Sequence, residues 1–408
     1  MTPPKNTKIG TENENTHWCD DPVHRAWLKD QACQLLDFFD AAYRPDTPGF
    51  AQLDHAGTPL GTTLQELHAT TRMVHSYALG HKIGHPGALV IVDHGMRYLA
   101  QNHHDADHGG YVWACDAGGV QDGRKLAYGH VFVLLAASSA LSVGHPDAQR
   151  LLDDADAVLT KHFWEADAGR FADEWNRDWT PFSTYRGMNA NMHGVEALLT
   201  AFEVTGRDVF LAKAGQILDF FIGQIAPAEG WRLVEHYTGD WQVDRDYAGD
   251  HMFRPAGTTP GHSFELARLS LQHWDLSGRP DSDAPVAARQ LIMQALADAW
   301  LPEGGLAYTL NFDGSVADGS RFWWPVTEAI GAVGALIACE GRADDEAWYR
   351  TLWHFADRYF IDHDRGGWYP AIDEAGKPTS SIFAGKPDIY HALQACLFPP
   401  SGRLSRMV

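Results

Sequence analysis

The chain has 408 residues, 45% apolar and 21% charged, which allows a large core and excludes global disorder. Acidic residues outnumber basic ones 53 to 32, a net charge of −21, so no nucleic-acid partner is expected: a phosphate backbone would be repelled. The 22 histidines and 15 tryptophans stand out, because imidazole is the side chain that most readily moves protons near neutral pH.

The first residues, MTPPKNTKIGTENENTHWCDD, are polar and lack the apolar stretch of a secretory signal. Residues 1–20 are therefore expected to form a flexible tail, and the protein is expected in the cytoplasm. Cys19, Cys33, Cys115, Cys339 and Cys396 are odd in number, scattered and without a CxxC pair. That pattern reads as reduced thiols, not as a disulfide framework or a zinc site. No apolar run approaches the ~20 residues of a membrane helix, so no membrane partner is expected. A solvated loop is the expected state of HHDADH (His103 to His108), which is followed at once by Gly109 and Gly110.

An amphipathic helix is predicted between Val23 and Tyr43. After it, segments of one design begin at Arg72, His130, His193, His262, Glu328 and His391, spaced 58 to 69 residues apart. Each opens with an Ala- and Leu-rich run of 3.6-residue period, breaks at a glycine (GHP, TGRD, SGRP, EGRA) and continues as a second amphipathic run. The last segment, HALQACLF, lacks its second half, which the Val23–Tyr43 helix can supply. Such a repeat predicts an all-α fold, an (α/α)6 barrel of six helical hairpins closed on itself. The barrel is placed at residues 21–400 as a single catalytic domain, with 401–408 a C-terminal tail. Between hairpins lie HGGYVWACDAGG, AGRFADEW, AEGWRLVEHY, EGGLAYTLNFDG and RGGWYPAIDEAG, which read as short β-hairpin loops gathered at one rim.

Closure brings the starts of the inner helices to one end of a central cavity. Arg72, His130, His193, His262, Glu328 and His391 are then expected around one point, where helix N-termini also aim N–H donors. A lone histidine on an apolar helix is more often a satisfied core residue; six polar residues at matching starts make a site. Tyr128, Tyr185, Arg186, Trp323, Trp324 and Tyr390 stand beside these starts, and stacking faces mixed with polar donors suit a sugar.

RGMNANMHGVEALL, FRPAGTTPGHSFELARL, RFWWPVTEAIGA and GKPDIYHALQACLFP resemble the N-acylglucosamine 2-epimerase superfamily, and LHATTRMVHSYAL resembles its bacterial aldose–ketose isomerase branch. The resemblance runs from about Trp27 to Pro399. It implies the same barrel, two catalytic histidines at His262 and His391, and no cofactor and no metal. It places sugar-binding side chains at Arg72, Tyr128, Asn189, His193, Glu265, Trp324 and Glu328, and His68, His130 and Arg254 are further candidates for binding the sugar. Glu265, one helical turn from His262, is expected to orient that imidazole.

The sulfosugar-acting members of the branch carry an Arg where Met252 stands and a Gln where Pro387 stands. Their loss removes donors a sulfonate needs and points to a neutral monosaccharide, D-mannose interconverting with D-fructose, with D-lyxose and D-xylulose as a second pair. Sugar 2-epimerisation and sulfoquinovose isomerisation are the nearer alternatives. An (α/α)6 glycoside hydrolase using Glu235, Asp250 or Glu328, and a non-enzymatic sugar-binding protein, are the distant ones. Oligomeric state is not readable from the sequence.

Overall fold

The structure, a computed structural model, describes residues 9–11, 16–249, 254–379 and 382–405; Asp250 and Met252 lie outside the described residues. Twelve helices of eight or more residues alternate between an outer and an inner ring among the described residues. They are α1 (Pro22–Phe39), α2 (Leu67–Lys82), α3 (Ala88–Tyr98), α4 (Ala127–Ser142), α5 (Ala148–Val158) and α6 (Met188–Thr205). The second half comprises α7 (Asp208–Leu218), α8 (Pro260–Leu276), α9 (Ala284–Ala299), α10 (Trp323–Cys339), α11 (Ala343–Tyr359) and α12 (Tyr390–Leu397). The even-numbered helices form the inner ring: each packs on the next, and α12 packs on α2 to close it. As the sequence predicts, α1 packs on α12 and completes the sixth hairpin. Inner helices such as α4 and α10 are buried on nearly every side, which is why they read as apolar all round.

Each inner helix is followed by a glycine in the left-handed region, at Gly84, Gly144, Gly206, Gly278, Gly341 and Gly402, with φ between 61° and 88°. Only glycine takes that conformation without a Cβ clash, so it stops the helix and turns the chain outward. At the opposite end, the expected loops form two- to four-residue antiparallel pairs, including Gln65–Glu66 with Ala114–Cys115, Lys125–Leu126 with Glu174–Trp175, and Arg186–Gly187 with His236–Tyr237. Their tight turns place Gly57, Gly119, Gly314 and Gly376 at positive φ, yet Trp179 (66°) and Trp241 (62°) hold the same place in two of them. A side chain there costs about 1–2 kcal/mol. Trp241 offsets it by donating to Glu165 Oε2 at 2.8 Å, and Trp179 by donating to the His108 carbonyl at 2.8 Å and stacking on His162.

The backbone pairing that sets the inner helices is regular. The first N–H of α2, α4, α6 and α10 donates to the carbonyl of Trp113, Asp173, Glu235 and Pro370 in the following loop. The first residue of α8 is Pro260, which has no N–H, and there Thr258 donates to Leu310 instead. Long cations two residues ahead of the helices brace the loops. Lys125 donates to Asp105 at 2.8 Å and Arg186 to Glu165 at 3.0 Å, while Lys386, ahead of α12, donates to Asp362 at 2.7 Å.

Three expectations need correction. Within HHDADH, His103 and Asp105 are buried, not solvated: His103 meets Thr70 and Val112, and Asp105 takes Lys125 and Arg177. Trp18 and Cys19, placed in a loose tail, are buried, with the Trp18 N–H on Glu346 of α11. Asp208–Ala228 is long and apolar enough by length and composition to cross a membrane, although half of that window is buried within the fold.

Lys125 and Asp105 both have fully enclosed side chains. Replacing Asp105 by Leu strands the ammonium in the interior, so the variant is expected to lose about 3 kcal/mol or more in denaturant unfolding. An unchanged midpoint would show that the pair does not brace the loop.

Candidate functional site

At the loop end of the barrel a cavity of ≈590 Å³ opens between the inner helices. The inner helices around it present their side chains in rungs. One residue in from the helix starts stand His68, Tyr128, Asn189, Gly261, Trp324 and His391. Five residues in stand Arg72, Phe132, His193, Glu265 and Glu328, and eight in, beneath the floor, His75, Glu196 and Arg268. Gly261 is the gap in the first rung. A Cβ there would come within 2.2 Å of the Trp324 ring, so the indole lies over the glycine and beside His262. Ring centroids of His262 and His391 are 5.1 and 6.0 Å from that of Trp324.

His262 and His391 each turn Nδ1 to a buried carboxylate. The His262 nitrogen lies 3.0 Å from both oxygens of Glu235, and His391 Nδ1 lies 2.8 Å from Glu328 Oε1. A carboxylate at Nδ1 fixes a proton on that nitrogen, so Nε2 is the atom left to the cavity both rings line, a base in the neutral ring and an acid in the imidazolium. Glu328 is itself held by Arg268, whose Nη2 is 3.3 Å from Oε2. Burial pushes the Glu328 carboxyl up, but Arg268 and the bond to His391 outweigh it and keep it below the ordinary value.

Arg72 is clamped rather than free. It donates to Asp388 at 2.7 Å and to the Tyr128 hydroxyl at 2.9 Å, and its guanidinium lies between the Phe132 and Tyr390 rings, 4.7 Å from each. Against burial, which acts upward, Arg72 and His391 hold the Asp388 carboxyl low. His193 Nδ1 lies 3.3 Å from Glu196, and burial pushes its imidazole down to about 4, so it is neutral at pH 7. Glu196 also accepts from the Tyr390 hydroxyl and from Gln394. His68 stacks on Trp113, and burial takes it down to about 3. Arg254 lines the rim, 3.1 Å from Glu174 and over the Tyr185 ring.

The cavity thus brings together His262, His391, Arg72, Tyr128, Asn189, His193, Glu265, Trp324, His68 and Arg254. Two expected members are absent from its wall. Glu328 stands behind His391 as its partner. His130 sits three residues into α4, donates Nδ1–H to the Leu126 carbonyl and accepts from the Tyr111 N–H, pinning a loop. The equal-phase ring expected from the helix starts therefore mixes four depths, one, two, three and five residues into the helices. A further correction concerns Glu265, which does not touch His262: it points inward, 3.5 Å from His193.

Sequence reasoning missed Glu235 as the partner of His262, along with Asp388, Asp173 and Tyr308. Trp113, Asp173, Glu235 and Tyr308 each stand three residues before a hairpin turn, and all four line the cavity. That register, readable once the turns are aligned, was the available signal. Burial raises the Asp173 carboxyl to about 7. The two triads His193–Glu196–Glu265 and Glu265–Glu328–His391 have ligand atoms within 4.8 Å, the spacing a cation would need. Arg268 already occupies that charge, 3.3 Å from Glu328 and 4.0 Å from Glu265.

With this geometry in view, the comparisons with known proteins agree in one direction. The sequence model of the N-acylglucosamine 2-epimerase (GlcNAc 2-epimerase) family matches residues 49–395, and the chain belongs to that family of sugar isomerases and epimerases. D-mannose isomerase of Thermobifida fusca is 43% identical over 391 residues, covering 94% of this chain and 96% of that protein. D-mannose isomerase of Pseudomonas cannabina pv. alisalensis is 39% identical over 394 residues, covering 94% of each. A crystal structure of D-mannose isomerase superposes with a TM-score of 0.86 at 32% identity, over 92% of this chain and 97% of that one.

His68, His75, His130 and His193 are held neutral by burial, at values of about 3 to 4. Unfolded, they titrate near 6.5 and bind protons that the folded chain refuses. Stability contributed by their neutral forms is present above pH 6.5 and lost as pH falls towards 4, so Tm is expected to drop steeply across that window. A Tm that stays flat from pH 6.5 to 4.5 would contradict the burial of these rings.

Proposed function

We propose that the protein is a metal-independent aldose–ketose isomerase that interconverts D-mannose and D-fructose, with D-lyxose and D-xylulose as a secondary pair. One observation carries this reading: two imidazoles, each backed at Nδ1 by a buried carboxylate, face one cavity next to Trp324. Relatives named D-mannose isomerase, similar over almost their whole length, support the choice of substrate. The five unpaired thiols suit a cytoplasmic location.

In this mechanism the open-chain aldose lies over Trp324 with C1 and C2 towards His262. Nε2 of His262 takes the C2 proton, leaving an enediolate, and His391, which enters the cycle as an imidazolium with its second proton on Nε2, then protonates the C1 oxygen to give a cis-enediol. His262 then returns its proton to C1, and the O2 proton passes back to His391, which leaves a ketone at C2. Atoms and charge balance with no external reductant. Glu235 steadies the imidazolium that His262 becomes, as a carboxylate does for any general base of this kind. Arg72, Asn189 and His193 are placed to bind sugar oxygens, and Arg254 faces the rim. A glycoside hydrolase would need an acid and a base carboxylate facing the substrate, whereas Glu235 and Glu328 are both committed to histidines.

Sugar 2-epimerisation is the second reading, favoured by the same pair of histidines: if His391 reprotonated C2 from the opposite side, the product would be the epimer. Incubation of the protein with D-mannose and EDTA separates the readings. Fructose is expected; glucose alone would move the assignment to an epimerase, and loss of turnover with chelator would remove the metal-free mechanism. His262→Ala is expected to lower kcat by about 10²- to 10⁴-fold. Glu235→Gln, which presents an amide donor to Nδ1 and so favours the wrong tautomer, is expected to lower kcat by about 100-fold or more with little change in KM. Near-normal turnover in His262→Ala would show that the base lies elsewhere.

A further inference from the structure

Glu265 is fully buried on α8, faces the cavity, and has no hydrogen-bond partner for either carboxylate oxygen. An ionised carboxylate without donors in such a place is among the most costly arrangements a protein interior can hold. Its surroundings do not supply the missing charge. Glu196 on α6 and Glu328 on α10 approach it, and both already take hydrogen bonds from histidines. The nearest cations are committed to other carboxylates: Arg268 bonds Glu328 at 3.3 Å and stays 4.0 Å from Glu265, and Arg72 bonds Asp388. The remaining titratable neighbours are His193, neutral by burial, the hydroxyls of Tyr128 and Tyr390, and His391, turned to Glu328. Three carboxyls crowded in this way cannot all ionise, and the one without donors keeps the proton.

We propose that Glu265 stands as a neutral carboxylic acid at pH 7 and donates a hydrogen bond to the sugar oxygen that becomes negative as the C2 proton leaves. This rests on the isomerase reading for the identity of that oxygen, but not for the proton on Glu265. Burial, followed by the charges of Glu328 and Glu196, raises this carboxyl well above the ordinary glutamate value, in the same sense as the geometry. A protonated acid in a dry pocket strengthens as a donor when its acceptor gains charge, which is what the enediolate oxygen does. Glu265 therefore plays the part of an oxyanion donor, in contrast to Glu235 and Glu328, which must be ionised to hold their histidines.

Glu265→Gln keeps the shape and a donor but cannot titrate. It is expected to retain kcat within about tenfold of the parent, whereas Glu265→Leu, which removes the donor, loses about 10²- to 10³-fold. In the parent, activity falls on the alkaline side as Glu265 ionises; in Glu265→Gln that contribution to the limb is absent. Infrared difference spectroscopy of parent minus Glu265→Gln at pH 7 reads the proton directly. A carboxylic-acid carbonyl band is expected in the parent and missing in the variant, and Glu265→Asp, which shifts the same band, serves if the amide variant fails to fold. No band assignable to Glu265, or a Glu265→Gln enzyme as slow as Glu265→Leu, overturns the proposal. The band present in a protein that converts no aldose would sink the isomerase reading and leave the proton on Glu265 standing.

Discussion

The fold and the site both depend on one backbone hydrogen bond, repeated around the ring: the first N–H of an inner helix donating to a carbonyl of the next loop. None of these helices has a side-chain cap at its start, so the loop carbonyl satisfies a donor that would otherwise be orphaned. The same bond fixes which loop residue stands against which helix. Trp113, Asp173 and Glu235 give up their carbonyls to the helix, and their side chains are delivered to the cavity. Glu235 meets His262 because the loop that caps α6 also reaches across to α8.

Around that frame the chemistry is a problem of charge in a dry place. Eight residues below the helix starts, Arg268 reaches Glu328, and Gly331 leaves room for it: a Cβ there would lie 3.1 Å from the Arg268 side chain. Glu196 is held ionised by His193 and by hydrogen bonds from Tyr390 and Gln394, against the upward push of burial. The two catalytic candidates take one carboxylate each. Within a low-dielectric wall, such pairs orient the rings more than they stabilise the fold. Arg72, sandwiched between aromatic faces and bonded at both ends, is fixed in place before any ligand arrives, which is the preorganisation a charge-stabilising group needs.

Much of this was legible beforehand. The glycine after each inner helix and the apolar period of 3.6 residues announced six hairpins, because helix stops and buried faces are local properties of sequence. His262, His391, Arg72 and His193 could be named because they open the repeats, and Asn189 through the family resemblance. The errors share one cause. The repeat alone puts His130 and His262 on a common ring, but they lie three and two residues into their helices, and each residue turns the side chain by about 100°. His130 consequently faces a loop while His262 faces the cavity. The i, i+3 spacing alone pairs Glu265 with His262, whereas Glu235, from a loop, is the partner.

The sequence by itself determined the repeat, the number of hairpins, the closure through α1 and the kinds of side chain gathered at one end. These follow from helical periodicity and glycine breaks, which act over a few residues. Only the tertiary structure decided the pairings: Glu235 with His262, Glu328 with His391, Asp388 with Arg72, and Glu265 with no donor at all. Those partners lie 27, 63 and 316 residues apart along the chain, and their meeting depends on the rotation of each helix and the register of each loop. Both are set by packing around the whole closed ring, so no local stretch of sequence contains them.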